Sequence, residues 1–293
     1  MTEPFPIRIR KSGEMADLVE EFWDLELIEA LFHTASRCSP EDFRDAFHQR
    51  FDRQGRLILT GSAREGLQAV LRTAAGRSSR RRVLLSSFNC RLVRDAVVHA
   101  GLSADTFDFA TLTGEIDWEE VGRSLTNEHL AVVIPHLFGI PTDFTLLLPF
   151  ARRKNVWIVE DCAHALGATI AGTQAGLMGD AAVFSFNYDK PISLAGGGAI
   201  LIHRSAADFD VNYIEESPPA RLELRQFRQL ASTLRYGRTR RGRPTLMARL
   251  GSRLHLTPYS APRLPVGIGP LRAAAGIWQL ERYDEVRERR DYL

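Results

Sequence analysis

The sequence predicts an α/β fold with a mostly parallel sheet between layers of helices. Short, almost wholly apolar runs alternate with segments of helical periodicity, as expected of strands covered on both faces. Glycine, acid and hydroxyl residues stand at the ends of those runs, where open α/β sheets hold their ligands.

The elements follow in order. Residues 1–50 read as amphipathic helix around Met15 to Phe32 and Glu41 to Phe51. Leu57 to Leu59 is a strand, and a helix runs from about Ser62 to Ala75. Val83 to Leu85 is a strand, Cys90 to Ala100 a helix and Ala104 to Phe109 a strand. Trp118 to Leu125 is a short helix. Leu130 to Pro135 is an apolar strand, Leu146 to Asn155 a helix and Val156 to Glu160 a buried strand. Ala181 to Phe186 and Gly198 to His203 are further strands. Leu271 to Leu293 reads as a charged amphipathic helix. Residues 205–262 are different in character. Ten arginines and one acid, Glu223, lie between Arg221 and Arg253. That stretch is either a phosphate-meeting surface or a solvated basic segment.

The chain has 293 residues, 44% apolar and 25% charged, enough for a sizeable core. A net charge of +2 gives no argument for nucleic acid. Three scattered cysteines form neither a disulfide framework nor a metal pattern. Met1 to Lys11 lacks the apolar centre of a signal peptide, and no run of about 18 apolar residues could span a membrane. A cytoplasmic location is the expectation.

Gly61, Phe88, His136, Asp161 and Ser185 all fall at or just after strand ends and are expected to share one site. Gly61 and Ser62 open a helix and offer N–H groups and a positive dipole end to a phosphate. Ser62 could equally be a plain N-cap. Asp161 ends a very apolar strand, where a carboxylate needs a cation or donors; it could also cap a helix. Phe88 either stacks on a flat ring or belongs to the core. His164 either faces a ligand or is a hydrogen-bonded structural residue. Lys190, five residues after Ser185, is either a reactive amine or a solvated surface group. An acid, a hydroxyl and an amine so placed match the needs of pyridoxal phosphate (PLP).

The ordered set Gly61-Ser62-Ala63, Ser87-Phe88-Asn89, Pro135-His136-Leu137-Phe138-Gly139, Glu160-Asp161-Cys162-Ala163-His164 and Ser185-Phe186-Asn187-Tyr188-Asp189-Lys190 resembles the DegT-like sugar aminotransferases. Gly172, the run Gly176 to Asp180 and the segment Ala273 to Arg282 are similar to the same family. The resemblance implies the PLP-transferase fold of aspartate aminotransferase. It implies Lys190 as the Schiff-base lysine and proton carrier, and Asp161 as partner of the pyridinium nitrogen. It places His164 beside the phenolic oxygen and Phe88 on the ring. Ser185 with Gly61 and Ser62 would hold the phosphate, and Asn187 also falls at the cofactor. No metal is implied. The implied substrates are an amino donor, glutamate, and a nucleotide-linked keto sugar, with the site in a homodimer. A dehydrating variant of the family lacks the lysine, so Lys190 argues for amino transfer.

Three departures stand out. The stretch Arg263 to Ile268 lacks the family's Gly-x-Asn-x-Arg loop. Ala195-Gly196-Gly197-Gly198 lacks the acid of Gly-Glu-Gly-Gly. The sequence reaches Leu293 inside a helix that in the family leads into a small C-terminal domain. The expected organisation is a helical segment at 1–40, a PLP-binding large domain at 41–262 carrying the insertion 205–262, and an incomplete small domain from 263 to 293. The alternative function is a degenerate PLP-fold protein that binds cofactor or a partner without turnover.

Overall fold

In the apolar strands successive side chains point to opposite faces, so each strand feeds two cores. In the computed structural model Val83 and Leu85 pack into one cluster with Val133, Val159 and Ile200, while Leu84 joins Val132, Ile134 and Ile158 in the other. The structure describes residues 25–51, 55–109, 116–203, 210, 211, 213, 215–237, 267–285 and 287. The strands are β1 (Arg56–Thr60), β2 (Arg82–Ser86), β3 (Ser103–Phe107), β4 (His129–Pro135), β5 (Trp157–Asp161), β6 (Thr169–Ile170), β7 (Thr173–Gln174), β8 (Ala181–Ser185) and β9 (Gly198–Ile202). Seven of them form one sheet in the order β1-β9-β8-β5-β4-β2-β3. The pairings β2–β3, β2–β4, β4–β5 and β5–β8 are parallel. Only β9 runs against its neighbours β1 and β8. The expected mostly parallel α/β fold is what forms.

The helices are α1 (Leu25–Thr34), α2 (Pro40–Arg50), α3 (Ala63–Gly76), α4 (Arg91–His99), α5 (Trp118–Ser124), α6 (Leu148–Lys154), α7 (Ala220–Gly237) and α8 (Pro270–Glu281). Val70 and Leu71 of α3 and Val93, Ala96 and Val97 of α4 cover one face of the sheet. Trp118 and Val121 of α5 and Ala151 of α6 cover the other. The helix expected from Leu146 is split: Thr145–Leu147 forms a 3₁₀ turn and α6 begins at Leu148. Pro149 explains the late start, because it lacks an N–H and belongs in a first helical turn. The short β6–β7 hairpin turns through Ala171 (φ 48°) and Gly172 (φ 81°), the left-handed pair that a two-residue hairpin demands.

The helix expected from Leu271 to Leu293 forms over Pro270–Glu281, and that part of it is largely buried. Leu271, Ala273, Ala274, Ala275, Trp278 and Leu280 are all core residues. A side chain at Gly276 would meet the Phe43 ring at 2.4 Å, so α2 and α8 touch through a glycine. Within the arginine-rich stretch, Ala220–Gly237 is helical; residues 238–266 lie outside the described ones. Its one acid is buried: Glu223 accepts from the N–H groups of Gly269 (2.8 Å) and Leu271 (2.8 Å), capping α8 from a different helix.

The chain divides into two compact units. One contains residues 51–186 and 197–215 and holds the whole sheet. The other gathers residues 1–50, 187–196 and 216–293. This grouping cuts across the linear order because Glu223, Arg272 and Phe43 join α2, α7 and α8 into one core.

Candidate active site

The sheet register brings several of the expected residues to one edge. Asp161 is the last residue of β5 and Ser185 the last of β8, its parallel neighbour. Ser185 pairs with Gly198, which pairs in turn with Thr60 at the end of β1. Gly61 and Ser62 therefore leave the sheet at the same edge as Ser185.

Local sequence makes this edge tight. A side chain at Gly198 would lie 2.5 Å from the Ala63 nitrogen and 2.7 Å from the Phe184 carbonyl. Gly197 donates to the Gly61 carbonyl at 3.1 Å and bridges to Ser62. Ser62 has extended backbone and its Oγ accepts from Glu65 N at 3.2 Å, so it caps α3. Its side chain is thereby committed to the helix. The Gly61 N–H is also committed, donating to the Tyr213 hydroxyl at 3.0 Å. What this helix start offers an anion is the dipole end and the N–H groups of its first turn.

Asp161 is half-buried, and its Oδ1 accepts from Ala163 N at 3.1 Å. His164 is exposed. Phe88 follows the end of β2 and is 59% exposed, touching the rings of Phe109 and Phe138. It is no core residue.

His136 follows β4 at this same edge, its N–H donating to the Asp161 carbonyl at 3.1 Å, but its side chain does not face the ligand side. It is sealed inside, with Nδ1 accepting from Thr142 N at 2.9 Å and Nε2 lying 2.9 Å from Glu160 Oε2. Because Nδ1 accepts, the proton sits on Nε2 and is donated to the carboxylate. Glu160 also accepts from Gly176 N (2.8 Å), Met178 N (2.9 Å) and Gly179 N (2.7 Å). Sequence reasoning gave Glu160 no role. The signal was present: adjacent strand residues point to opposite faces, so Glu160 had to face away from Asp161. Cys162 lies beside this pair, its ligating atom and theirs within 4.8 Å of one another. Burial, and then the charges of Glu160 and Asp161, push its thiol well up, so it stays protonated. With each Glu160 oxygen already accepting two hydrogen bonds, the cluster is a structural knot that fixes β5 against the 176–179 turn.

Lys190 and Asn187 belong to the other unit. Lys190 N donates to the Asn187 carbonyl at 3.1 Å. The Lys190 side chain is only 12% exposed, and its Nζ lies 3.1 Å from Asp189 Oδ2. A solvated surface lysine would not be covered in this way.

The edge of the sheet thus presents an acid, a hydroxyl, an exposed aromatic face and a capped helix start. This donor set fits pyridoxal phosphate: a carboxylate for its ring nitrogen, and a hydroxyl and helix dipole for its phosphate. Residues 39–232 match the DegT/DnrJ/EryC1/StrS aminotransferase family. Over 165 residues the chain is 25% identical to GDP-perosamine synthase of Escherichia coli O157:H7, covering 56% of this chain and 45% of that protein. The fold is similar to that of a Streptococcus pneumoniae protein solved in its PLP form (TM-score 0.61, 18% identity, 89% of this chain and 65% of that one). It is likewise similar to a sugar aminotransferase of Micromonospora echinospora (TM-score 0.59, 19% identity, 88% and 66%). The chain spans less than half the length of the first relatives it matches in sequence. Sequence match, fold and strand-end chemistry agree, and the chain belongs to the DegT/DnrJ/EryC1/StrS aminotransferase family.

Proposed function

We propose that the chain is a PLP-dependent aminotransferase that moves an amino group from glutamate to a keto sugar carried on a nucleotide. One observation carries this reading furthest. Lys190, five residues beyond the strand end that bears Ser185, has a covered side chain, 12% exposed, where an ordinary surface lysine would be solvated. The names of the relatives support the substrate class. They include a UDP-N-acetyl-3-dehydro-α-D-glucosamine 3-aminotransferase and a dTDP-3-amino-3,4,6-trideoxy-α-D-glucose transaminase.

Bound PLP would supply an electron sink for the carbon that loses its proton. Asp161 holds the proton on the ring nitrogen, so that the sink stays open. Ser185 Oγ and the first turn of α3 bind the phosphate, with the backbone of Gly61 and Ser62 shaping that turn. Phe88 covers one ring face and excludes water from it. His164 would face the phenolic oxygen, and Asn187 would also take part in holding the cofactor. Lys190 would hold the cofactor through its amine, and that amine would serve as the proton carrier. A cytoplasmic homodimer is the assembly that goes with this reading.

A second reading, cofactor binding without turnover, is favoured by one feature. A side chain at Gly267 would lie 1.6 Å from the Glu216 carbonyl oxygen. Any side chain at position 267, within the loop Arg263 to Ile268 that departs from the family pattern, would force a shift.

Absorbance with added PLP separates these readings. The wild type should turn yellow, Lys190→Ala should not, and glutamate should bleach the wild-type band as the cofactor takes up the amino group. A colourless wild type ends both readings. A yellow protein that glutamate leaves unchanged supports the second.

A further inference from the structure

We infer that Gln279, far along the sequence from the strand ends, is a positioning residue for Lys190. The inference rests on the reading of Lys190 as the cofactor lysine. Between β8 and β9 the chain runs for twelve residues (186 to 197), and connections of this kind usually lie on the surface. Here the middle of the connection is buried. Ile192 and Leu194 are fully covered and Ser193 nearly so. Buried backbone must find partners, and α8 provides them. Ser193 N donates to Gln279 Oε1 at 2.7 Å, and Gln279 Nε2 donates to the Ser193 carbonyl at 2.7 Å. Arg272 Nε donates to the Leu194 carbonyl at 2.9 Å. Ser193 Oγ then donates back to the Tyr188 carbonyl at 2.9 Å. The turn that contains Lys190 is therefore closed from 188 to 193 and pinned at its second end.

The chemistry of the pin is specific. A carboxamide donates and accepts in one plane, so it reads both backbone groups of a single residue as a neighbouring strand would. Asn would be one methylene short. Glu could accept from Ser193 N but would set its other oxygen against the Ser193 carbonyl. Arg272 is a poorer probe, since it also bonds Glu223 and the Gly267 carbonyl. Gln279 acts on Lys190 from Ser193, through the two intervening residues Pro191 and Ile192. A shift of about 1 Å in a reacting group costs on the order of 100-fold in rate.

The test uses the full chain loaded with PLP and the isosteric variant Gln279→Glu. Borohydride trapping followed by peptide mapping reads how much cofactor is joined to Lys190. Titration of the yellow band reads how well the amine is placed. The trapped fraction should fall roughly tenfold, and the pH midpoint of the band should move, in a variant that keeps its circular dichroism. A merely structural glutamine would lower the melting temperature and leave both readouts alone. A folded variant with wild-type trapping and midpoint overturns the proposal. Amide exchange of the wild type decides the matter even if the variant does not fold. The Ser193 N–H should exchange as slowly as the core amides of α8, and exchange at the rate of an open loop overturns the pin. If Lys190→Ala still traps PLP in wild-type yield, the reading of Lys190 fails, whatever Gln279 does.

Discussion

The Nε2 of His136 lies 2.9 Å from Glu160 Oε2, with both side chains fully buried at the end of the sheet that carries Asp161. The pair sits one residue from the acid proposed to meet the cofactor, yet it faces the opposite side of β5. It holds the loop after the β6–β7 hairpin and gives Asp161 a rigid base.

Glu160→Gln tests that base. Each carboxylate oxygen accepts two hydrogen bonds, one pair from Met178 N and Gly179 N, the other from Gly176 N and His136. A carboxamide turns one NH₂ against two donors and leaves them unsatisfied. The expected loss is about 3 kcal/mol of unfolding free energy, read from urea denaturation. A loss below about 0.5 kcal/mol, the level of a neutral surface change, would refute the network.

Gly198→Ala addresses the opposite end of the edge. The added methyl would stand 2.5 Å from Ala63 N and 2.7 Å from the Phe184 carbonyl, both backbone atoms with little freedom to yield. The start of α3 must then move off β9. About 2 kcal/mol of stability should be lost, together with most affinity for inorganic phosphate and PLP, measured by calorimetry. Unchanged phosphate affinity in a folded variant would separate the helix start from phosphate binding.

How much of this was legible beforehand follows from the kind of signal each residue leaves. Strand ends are local: the apolar run Val156 to Val159 stops at an acid, and Ala181 to Phe184 stops at Ser185, so Asp161 and Ser185 could be placed from their own neighbourhoods. The side-chain commitments were not local. Ser62 as cap and Gly61 as donor to Tyr213 differ only in which group reaches which, and Tyr213 is 152 residues away. Glu223 looked like a stray acid among arginines because its partners, Gly269 and Leu271, lie 46 and 48 residues on. The burial of α8 is not local either, because Arg272 and Gln279 are satisfied by the backbone of Leu194 and Ser193, far away in the sequence.

Ala195→Gly should stabilise the protein. Ala195 has φ 56° and begins a run of positive φ through Gly196 (130°) and Gly197 (90°). A left-handed alanine costs roughly 1–2 kcal/mol, and glycine returns part of that through a freer unfolded chain. The net gain should be about 0.5 kcal/mol, visible as a higher melting temperature. A destabilised variant would show that Ala195 is not held left-handed.

Asp180→Asn gives a pH signature. Burial pushes the Asp180 carboxyl above its ordinary range, outweighing the Ile158 N–H that donates to Oδ2 at 2.8 Å. A raised folded value means that, just above the ordinary carboxylate range, the folded state holds a proton the unfolded chain has released. Stability from this group therefore falls as pH rises through the folded value, and the charged form costs stability at pH 7. Asparagine keeps an oxygen for the Ile158 N–H and carries no charge. The variant should accordingly be at least as stable as the wild type at pH 7. Its advantage should shrink as the pH drops toward the ordinary aspartate value, where both side chains are neutral in either state. Urea midpoints measured side by side from pH 4 to pH 7 read this directly. An advantage that grows toward low pH would reverse the sign and mean that Asp180 is held ionised by a cation in the fold.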